Sequence, residues 1–312
     1  MKLGELQLDD LRARLNDGGI FLQTGPFVCH LRSPLHQIAR AVHFGYGDFP
    51  LAEEEGFADF HVRVAPAGGL RRWFRPQVLF FLDNRMAFVP FPLQAAVPVL
   101  EWGLNWCVSV HAHQFLMIHA AVLEREGRAL ILAGDSGAGK STLCAALVLN
   151  GWRLLSDEIT MVRPDDGRLV PLPRPVSLKN ESIAVIRRLC PAGDISPEWS
   201  DTVKGTVAHM RPPADSVHRA EETAQAAWVI FPRFQPGMEP RSRRFPRGAA
   251  LMRLADNSFN YSLLGARGFE TMADLVERCA CYEFRYGNLQ AALERFDTLP
   301  PPETTSGTGT DA

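Results

Sequence analysis

The apolar run Ala129-Leu130-Ile131-Leu132-Ala133 leads directly into Gly134-Asp135-Ser136-Gly137-Ala138-Gly139-Lys140-Ser141-Thr142. The loop has the spacing G-x-x-x-x-G-K-S, and an apolar helical pattern follows it. Strand, glycine loop and helix together are the context that a phosphate-binding loop requires. Glycines let successive backbone N–H groups turn inward as an anion nest. A helix beginning at Lys140 would aim its positive end at the same anion. Lys140 adds a point charge for β- and γ-phosphates, and the Ser141 hydroxyl can rest on a magnesium ion. Gly134, Asp135, Ser136, Gly137, Ala138, Gly139, Lys140, Ser141 and Thr142 are therefore the expected nucleotide contacts.

Composition sets the frame. A chain of 312 residues suggests two domains, and 46% apolar with 22% charged residues suits a globular protein with a real core. The net charge of −2 implies no general attraction to nucleic acid or to an anionic membrane. The six cysteines, at 29, 107, 144, 190, 279 and 281, form no C-x-x-C pair and suggest neither a disulfide framework nor a zinc site. Reduced thiols, an acidic N-terminal stretch where a signal peptide needs an apolar core, and no apolar run of about 18 residues together predict a cytoplasmic protein without a membrane span.

Residues 1–92 read as a small β-rich domain. A short helix over Leu11–Leu15 is expected after Asp9 or Asp10. Asp59–Val64 alternates as a half-buried strand, and Gln77–Leu82 and Arg85–Val89 flank a hairpin turn at Asp83-Asn84. Residues 93–298 read as the nucleotide domain. It opens with a helix over Leu93–His113 that should pack against that domain, with Pro98 near its first turn. Strands are expected at Met117–Leu123, Arg128–Ala133, Trp152–Ser156 and Ala227–Phe231, and helices at Thr142–Asn150, Glu270–Cys281 and Leu289–Phe296. The stretch 191–226 reads as an excursion or lid, and 299–312 as a disordered tail.

A glycine loop binds phosphate without saying what becomes of it. Asp157 and Glu158 close the strand after the loop helix, 17 residues beyond Lys140. A helix of about ten residues and a tight turn should return that strand beside the first, placing both carboxylates near the phosphates. In-line phosphoryl transfer needs a metal clamp and a group that takes the acceptor's proton, and a carboxylate there suits either task. His119 admits two readings, an electrostatic or proton-relay group and an ordinary polar strand-end histidine. His111 and His113 are not on one helix face and read as surface residues. The arginines at 233, 241, 243, 244, 247 and 253 read as a solvated face, with a grip on an acidic substrate as the alternative. Lys204 and Arg211 are either charge stabilisers in the lid or plain surface cations. Lys179 and Asn180 could touch nucleotide or acceptor.

From Ile118-His119-Ala120-Ala121, through the glycine loop, to Gly151-Trp152-Arg153-Leu154-Leu155-Ser156-Asp157-Glu158, the chain resembles the catalytic domain of HPr kinase/phosphorylase. The stretches Glu101–Trp106, Pro173–Asn180 and Lys204–His209 resemble the divergent branch called HPr-kinase-related kinase A, and that likeness covers most of 10–298. The resemblance implies an α/β fold, a mixed-sheet P-loop nucleotide domain related to phosphoenolpyruvate carboxykinase. It implies an ATP- and magnesium-dependent kinase with Asp157 as general base, and Lys140 and His119 also catalytic. Ser141 and Glu158 become the metal ligands, Glu158 standing where the family has an aspartate. The implied acceptor is a serine-like hydroxyl on a peptide, carrier protein or small metabolite, with a PqqD-like protein as a candidate partner and room for a homo-oligomer. The family's glycine-rich segment with its metal-binding glutamate has no counterpart here, which argues against HPr itself as the acceptor. An ATP-binding regulatory or scaffold module without phosphotransfer is the alternative, and a simple ATPase a third.

Overall fold

In a computed structural model, residues 1–52, 56–69, 71–135 and 137–299 are described. Ser136 and the expected tail beyond 299 lie outside the described residues. The described residues form a mixed α/β architecture with six-, nine- and three-stranded sheets.

The six-stranded sheet is N-terminal. Ile20–Thr24, Phe27–Arg32 and Gln77–Leu82 alternate buried and half-buried residues, so one face of each strand is inward. Asp83 and Asn84 both take positive φ, at 49° and 63°, and close the expected hairpin. The second strand of that hairpin is only Arg85–Met86. The β-rich expectation omits a helix at His36–Gly45, which buries Ile38, Ala39 and Val42. The first α-helix is longer than expected, Leu8–Asn16, with Asp9 and Asp10 in its first turn, where acids complement the positive end of the helix dipole.

The helix Ala96–His111 follows a short 3₁₀ turn at Leu93–Ala95. As expected, it shares a core with residues beyond 113, among them Met117, Ile159, Met161 and Leu172, and it also packs on the N-terminal sheet. Its apolar residues Val97, Leu100, Leu104 and Cys107 join the core of the N-terminal sheet with Val62, Val64 and Phe80. Gly103 is the point of closest approach, since a Cβ there would lie 2.0 Å from the ring of Phe80. Phe80 is fully enclosed, at 1% exposure, and cannot swing away. Gly103→Ala gains about 1 kcal/mol of helix propensity but overpacks at a cost of about 1–3 kcal/mol. A lower urea midpoint is the expected outcome.

The nine-stranded sheet carries the glycine loop. Arg128–Ala133, Ala224–Phe234 and Ala280–Tyr286 lie side by side and parallel. Ala120–Arg125 pairs antiparallel with the first of them, and Arg153–Ser156 pairs antiparallel with Ala120–Arg125. The strand after the loop helix therefore returns parallel to the loop strand with one strand between them, not directly beside it. Leu130 and Leu132 face one core with the loop helix Lys140–Leu149, while Ala129 and Ile131 face another with helices Arg247–Asp256 and Ala266–Arg278. Burial on both faces explains the unbroken apolar run from Ala129 to Ala133.

Three further expectations change. The central strand is Ala224–Phe234, eleven residues rather than five. The expected helix to Cys281 ends at Arg278, and Ala280–Tyr286 is a strand. The stretch 191–226 is largely built structure. Gly205–Met210 pairs with Val176–Lys179 on one side and Trp199–Thr202 on the other in the three-stranded sheet, and Ala214–His218 is a short helix.

Candidate functional site

The strand Arg128–Ala133 ends where the glycine loop begins. Ala120 pairs with Ala133, so His119, one residue earlier, falls at the level of Gly134. His119 separates two short strands, Leu116–Ile118 and Ala120–Arg125, where one continuous strand was expected. Its N–H instead donates to Asn257 O at 2.7 Å. Because Arg153–Ser156 runs parallel to the loop strand, Asp157 and Glu158 emerge at the same sheet end. Topology alone thus gathers His119, the loop and the two carboxylates.

Gly139 shows why the loop needs its glycine. Its φ is 89°, and a Cβ there would sit 2.6 Å from Tyr286 Oη. The loop helix starts at the next residue, and its first-turn N–H groups have no partners within the helix. Gly137, Gly139, Lys140, Ser141 and Thr142 line a cavity of about 540 Å³, within the size range of small-molecule sites. Lys140 Nζ donates to Gly134 O across the loop. Burial lowers the Lys140 pKa against the opposing charges of Glu158 and Asp157, so its ammonium is less hydrated than a surface lysine's. Asp135 lines the cavity rim, but its carboxylate is exposed and lies 3.8 Å from Arg253 Nη2. Ala138 contributes through its backbone, with its carbonyl accepting from Phe234 N–H.

Asp157 is 7% exposed. Its Oδ2 accepts from Ser177 N–H at 3.0 Å, while Oδ1 is buried without a partner. Burial, with the Glu158 charge, pushes its pKa up to about 7, against the pull of Ser177 N–H and Lys179. Ser141 supports the carboxylate from the loop helix without closing a hydrogen bond of ordinary geometry. Glu158 behaves oppositely. Burial works to raise its pKa, but the His119 hydrogen bond and the charges of Lys179 and Lys204 outweigh it and hold Glu158 ionised. Glu158 Oε2 lies 3.4 Å from His119 Nε2, and Oε1 lies 3.8 Å from Lys179 Nζ. Two adjacent carboxylates, pushed apart in proton affinity, suit different tasks.

Several residues enter from distant elements. Lys179 ends the strand Val176–Lys179 and faces the cavity with Asn180, whose Oδ1 accepts from Thr206 N–H. Phe234, Tyr286 and Leu289 form an apolar end to the cavity. Sequence reasoning missed Phe234 and Tyr286, because strand position alone does not distinguish a cavity aromatic from a core aromatic, and Leu289, because an apolar residue at a helix start reads as core. Lys204 influences Glu158 and sits 5.0 Å from the centre of the Trp102 ring. Arg211 is turned to Asp194 instead. Arg241, Arg243 and Arg244 lie exposed on the strand Arg241–Arg244. His111 is exposed, and its Nδ1 is 2.9 Å from Cys107 O. All six cysteines are free. Among the described residues no group of three His, Cys, Asp or Glu could hold a metal, and no helix is long and apolar enough to cross a membrane.

Fold and site define a mixed α/β protein in which a glycine loop heads a buried helix and faces a carboxylate pair. A family model, that of SynChlorMet cassette protein ScmC, matches residues 99–176. The chain is similar to that family from the helix bearing Glu101, through the loop and Asp157-Glu158, to Val176. No curated protein matches the chain.

Proposed function

We propose that this chain is an ATP- and magnesium-dependent phosphotransferase of the HPr-kinase-like kind, with a P-loop nucleotide domain, acting on a serine-like hydroxyl of a peptide, carrier protein or small metabolite. The observation that carries the reading is the buried, unpartnered Oδ1 of Asp157 in one cavity with the glycine loop, Lys140 and Ser141. The loop amides and Lys140 hold the triphosphate, and the Phe234–Tyr286–Leu289 end offers an apolar surface to the base. Asp157 accepts the acceptor's proton as the new O–P bond forms. The bond from the γ-phosphorus to the bridging oxygen breaks, and ADP leaves with the electron pair. His119 fixes Glu158, and Lys179 adds charge facing the transferring group. The donor set fits magnesium, since Ser141 and Glu158 supply two hard oxygens and this ion takes few protein ligands beside phosphates and water. When bound, the ion would neutralise charge on the phosphate oxygens.

A second reading, an ATP-binding regulatory module, draws on Glu158, whose oxygens are engaged by His119 and Lys179 rather than left open. Incubation with γ-labelled ATP, magnesium and serine-bearing peptides or proteins encoded beside this chain separates the two. Label on a serine supports the kinase. Label that stays on ATP supports the module, and phosphate release that no acceptor stimulates points to an ATPase. In either nucleotide-binding reading, Lys140→Met is expected to weaken ATP binding about 10- to 100-fold, the loss of a charge-assisted contact. Calorimetric titration checks this, and unchanged affinity would remove the loop from the proposal.

A further inference from the structure

Asp157, Glu158 and Ser177 border both the large cavity and a second, smaller chamber of about 20 Å³. Its other walls include Trp102 from the N-terminal unit's helix, Arg174, and His209 from the three-stranded sheet. Four side-chain atoms of its lining residues are buried without a hydrogen-bond partner: Trp102 Nε1, Asp157 Oδ1, Ser177 Oγ and His209 Nε2. Among the described residues only two other side-chain atoms share that condition, His113 Nδ1 and Trp152 Nε1, and neither residue lines the chamber. Buried polar groups are almost always paired, so four orphans around one chamber mark a place built for a ligand.

The chemistry of the orphans narrows the ligand. Trp102 only donates, an ionised Asp157 only accepts, and Ser177 and neutral His209 do either. Burial, in the first place, lowers the His209 pKa and keeps the imidazole neutral. Arg174 is already paired with Glu101, so it offers no free charge to the chamber. A carboxylate or phosphate is too bulky for the chamber and would press against Asp157 and Glu158, while the nearby cations Lys179 and Lys204 are already drawn to Glu158 and do not line the chamber. A volume of this size holds about one oxygen-sized group. The group must therefore be small and neutral, and must both donate and accept. A hydroxyl meets these conditions.

We infer that this chamber is the acceptor subsite, receiving the neutral hydroxymethyl end of a serine-like acceptor, whose oxygen donates to Asp157 Oδ1 and accepts from Trp102 Nε1. The inference rests on the phosphotransfer reading above and adds a site for the acceptor. Transfer stays balanced as already written: the hydroxyl proton passes to Asp157 while the oxygen bonds to phosphorus and ADP departs.

The test uses the full chain labelled with 5-fluorotryptophan, with the Trp102 fluorine signal assigned by Trp102→Phe. The protein, saturated with a non-hydrolysable ATP analogue and magnesium, is titrated with N-acetylserine amide and, separately, N-acetylalanine amide. A saturating shift of the Trp102 signal with the serine probe alone is expected. No shift, or equal shifts with both probes, overturns the inference. Calorimetry should show serine-probe affinity about tenfold weaker in Trp102→Phe, with ATP affinity unchanged. Phenylalanine keeps the aromatic ring beside Lys204, and Ser177→Ala provides a second variant with the same expected direction. Unchanged probe affinity in both variants also overturns the subsite. With ATP itself, a serine probe that shifts Trp102 without becoming phosphorylated leaves the hydroxyl site standing and sinks the phosphotransfer reading. Phosphoserine formed without any Trp102 response does the reverse.

Discussion

Asp157→Asn is expected to reduce phosphoryl transfer by a factor of at least about 10², the usual range for losing a general base, while ATP still binds. The same substitution should raise the melting temperature. The sign follows from linkage. Burial lifts the Asp157 pKa from 3.8 to about 7, so across that interval the folded chain holds a proton that the unfolded chain has released. Stability therefore falls as pH rises through that window, and the loss is complete above it. Asparagine carries no charge to bury, and its carbonyl oxygen can still accept from Ser177 N–H, which Asp157 Oδ2 does at 3.0 Å. Asparagine should thus gain most over aspartate at neutral and alkaline pH, and little near pH 4. Labelled-ATP transfer, calorimetric ATP titration and thermal melts at several pH values check the three parts. Unimpaired transfer would end the assignment of Asp157. A lower melting temperature at pH 8 would show that the carboxylate's contacts outweigh the cost of its burial.

The grouping of the glycine loop with Asp157 and Glu158 was legible because its determinants are local. Three glycines, Lys140 and Ser141 sit within one loop, and the distance to Asp157 is one helix and one strand. His119 was legible for a related reason, since a tight hairpin sets it opposite Gly134. Of the parallel neighbours only Ala227–Phe231 was legible as a strand. Ala224–Phe234 reaches the loop strand only through tertiary pairing, Gln225 against Arg128, Ala280–Tyr286 pairs in turn with Ala224–Phe234, Ala280 against Trp228, and each begins with alanine, which carries a weak strand signal. The segment Cys281–Tyr286 alternates too briefly to separate from the helical pattern before it. Phe234 and Tyr286 share this obstacle. Their residue types are ordinary, and only the sheet order brings them to the cavity. His36–Gly45 was missed differently, because its apolar stripe is interrupted by histidines and arginine, which let a Gly- and Pro-punctuated region read as strands throughout.

The second large effect is expected where two residues distant in the chain meet in the core. Glu101 and Arg174 are 73 residues apart, yet Arg174 Nη2 donates to Glu101 Oε2 at 2.6 Å, with both side chains below 10% exposure. Tyr46 Oη donates to the same carboxylate at 2.9 Å, and Arg174 Nη1 donates to Asn105 Oδ1 at 2.7 Å. The cluster joins the N-terminal core to the Pro171–Pro175 stretch just beside the chamber at Asp157. Burial works against the Arg174 charge, but Tyr46 and Glu101 more than offset it and raise its pKa. Glu101→Ala removes the counter-charge and leaves the guanidinium buried, so a loss of about 3–5 kcal/mol is expected. That is a large share of the roughly 5–15 kcal/mol that stabilises a domain. Glu101→Leu combined with Arg174→Met removes both charges and should cost far less than the sum of the single changes. Urea denaturation of the two single variants and the double variant reads the coupling directly. Additive losses would mean that the two charges do not depend on each other. Coupling in stability, with ATP affinity intact and serine-probe affinity weakened in Glu101→Ala, would mean that this network holds the helix bearing Trp102 against the carboxylate it serves.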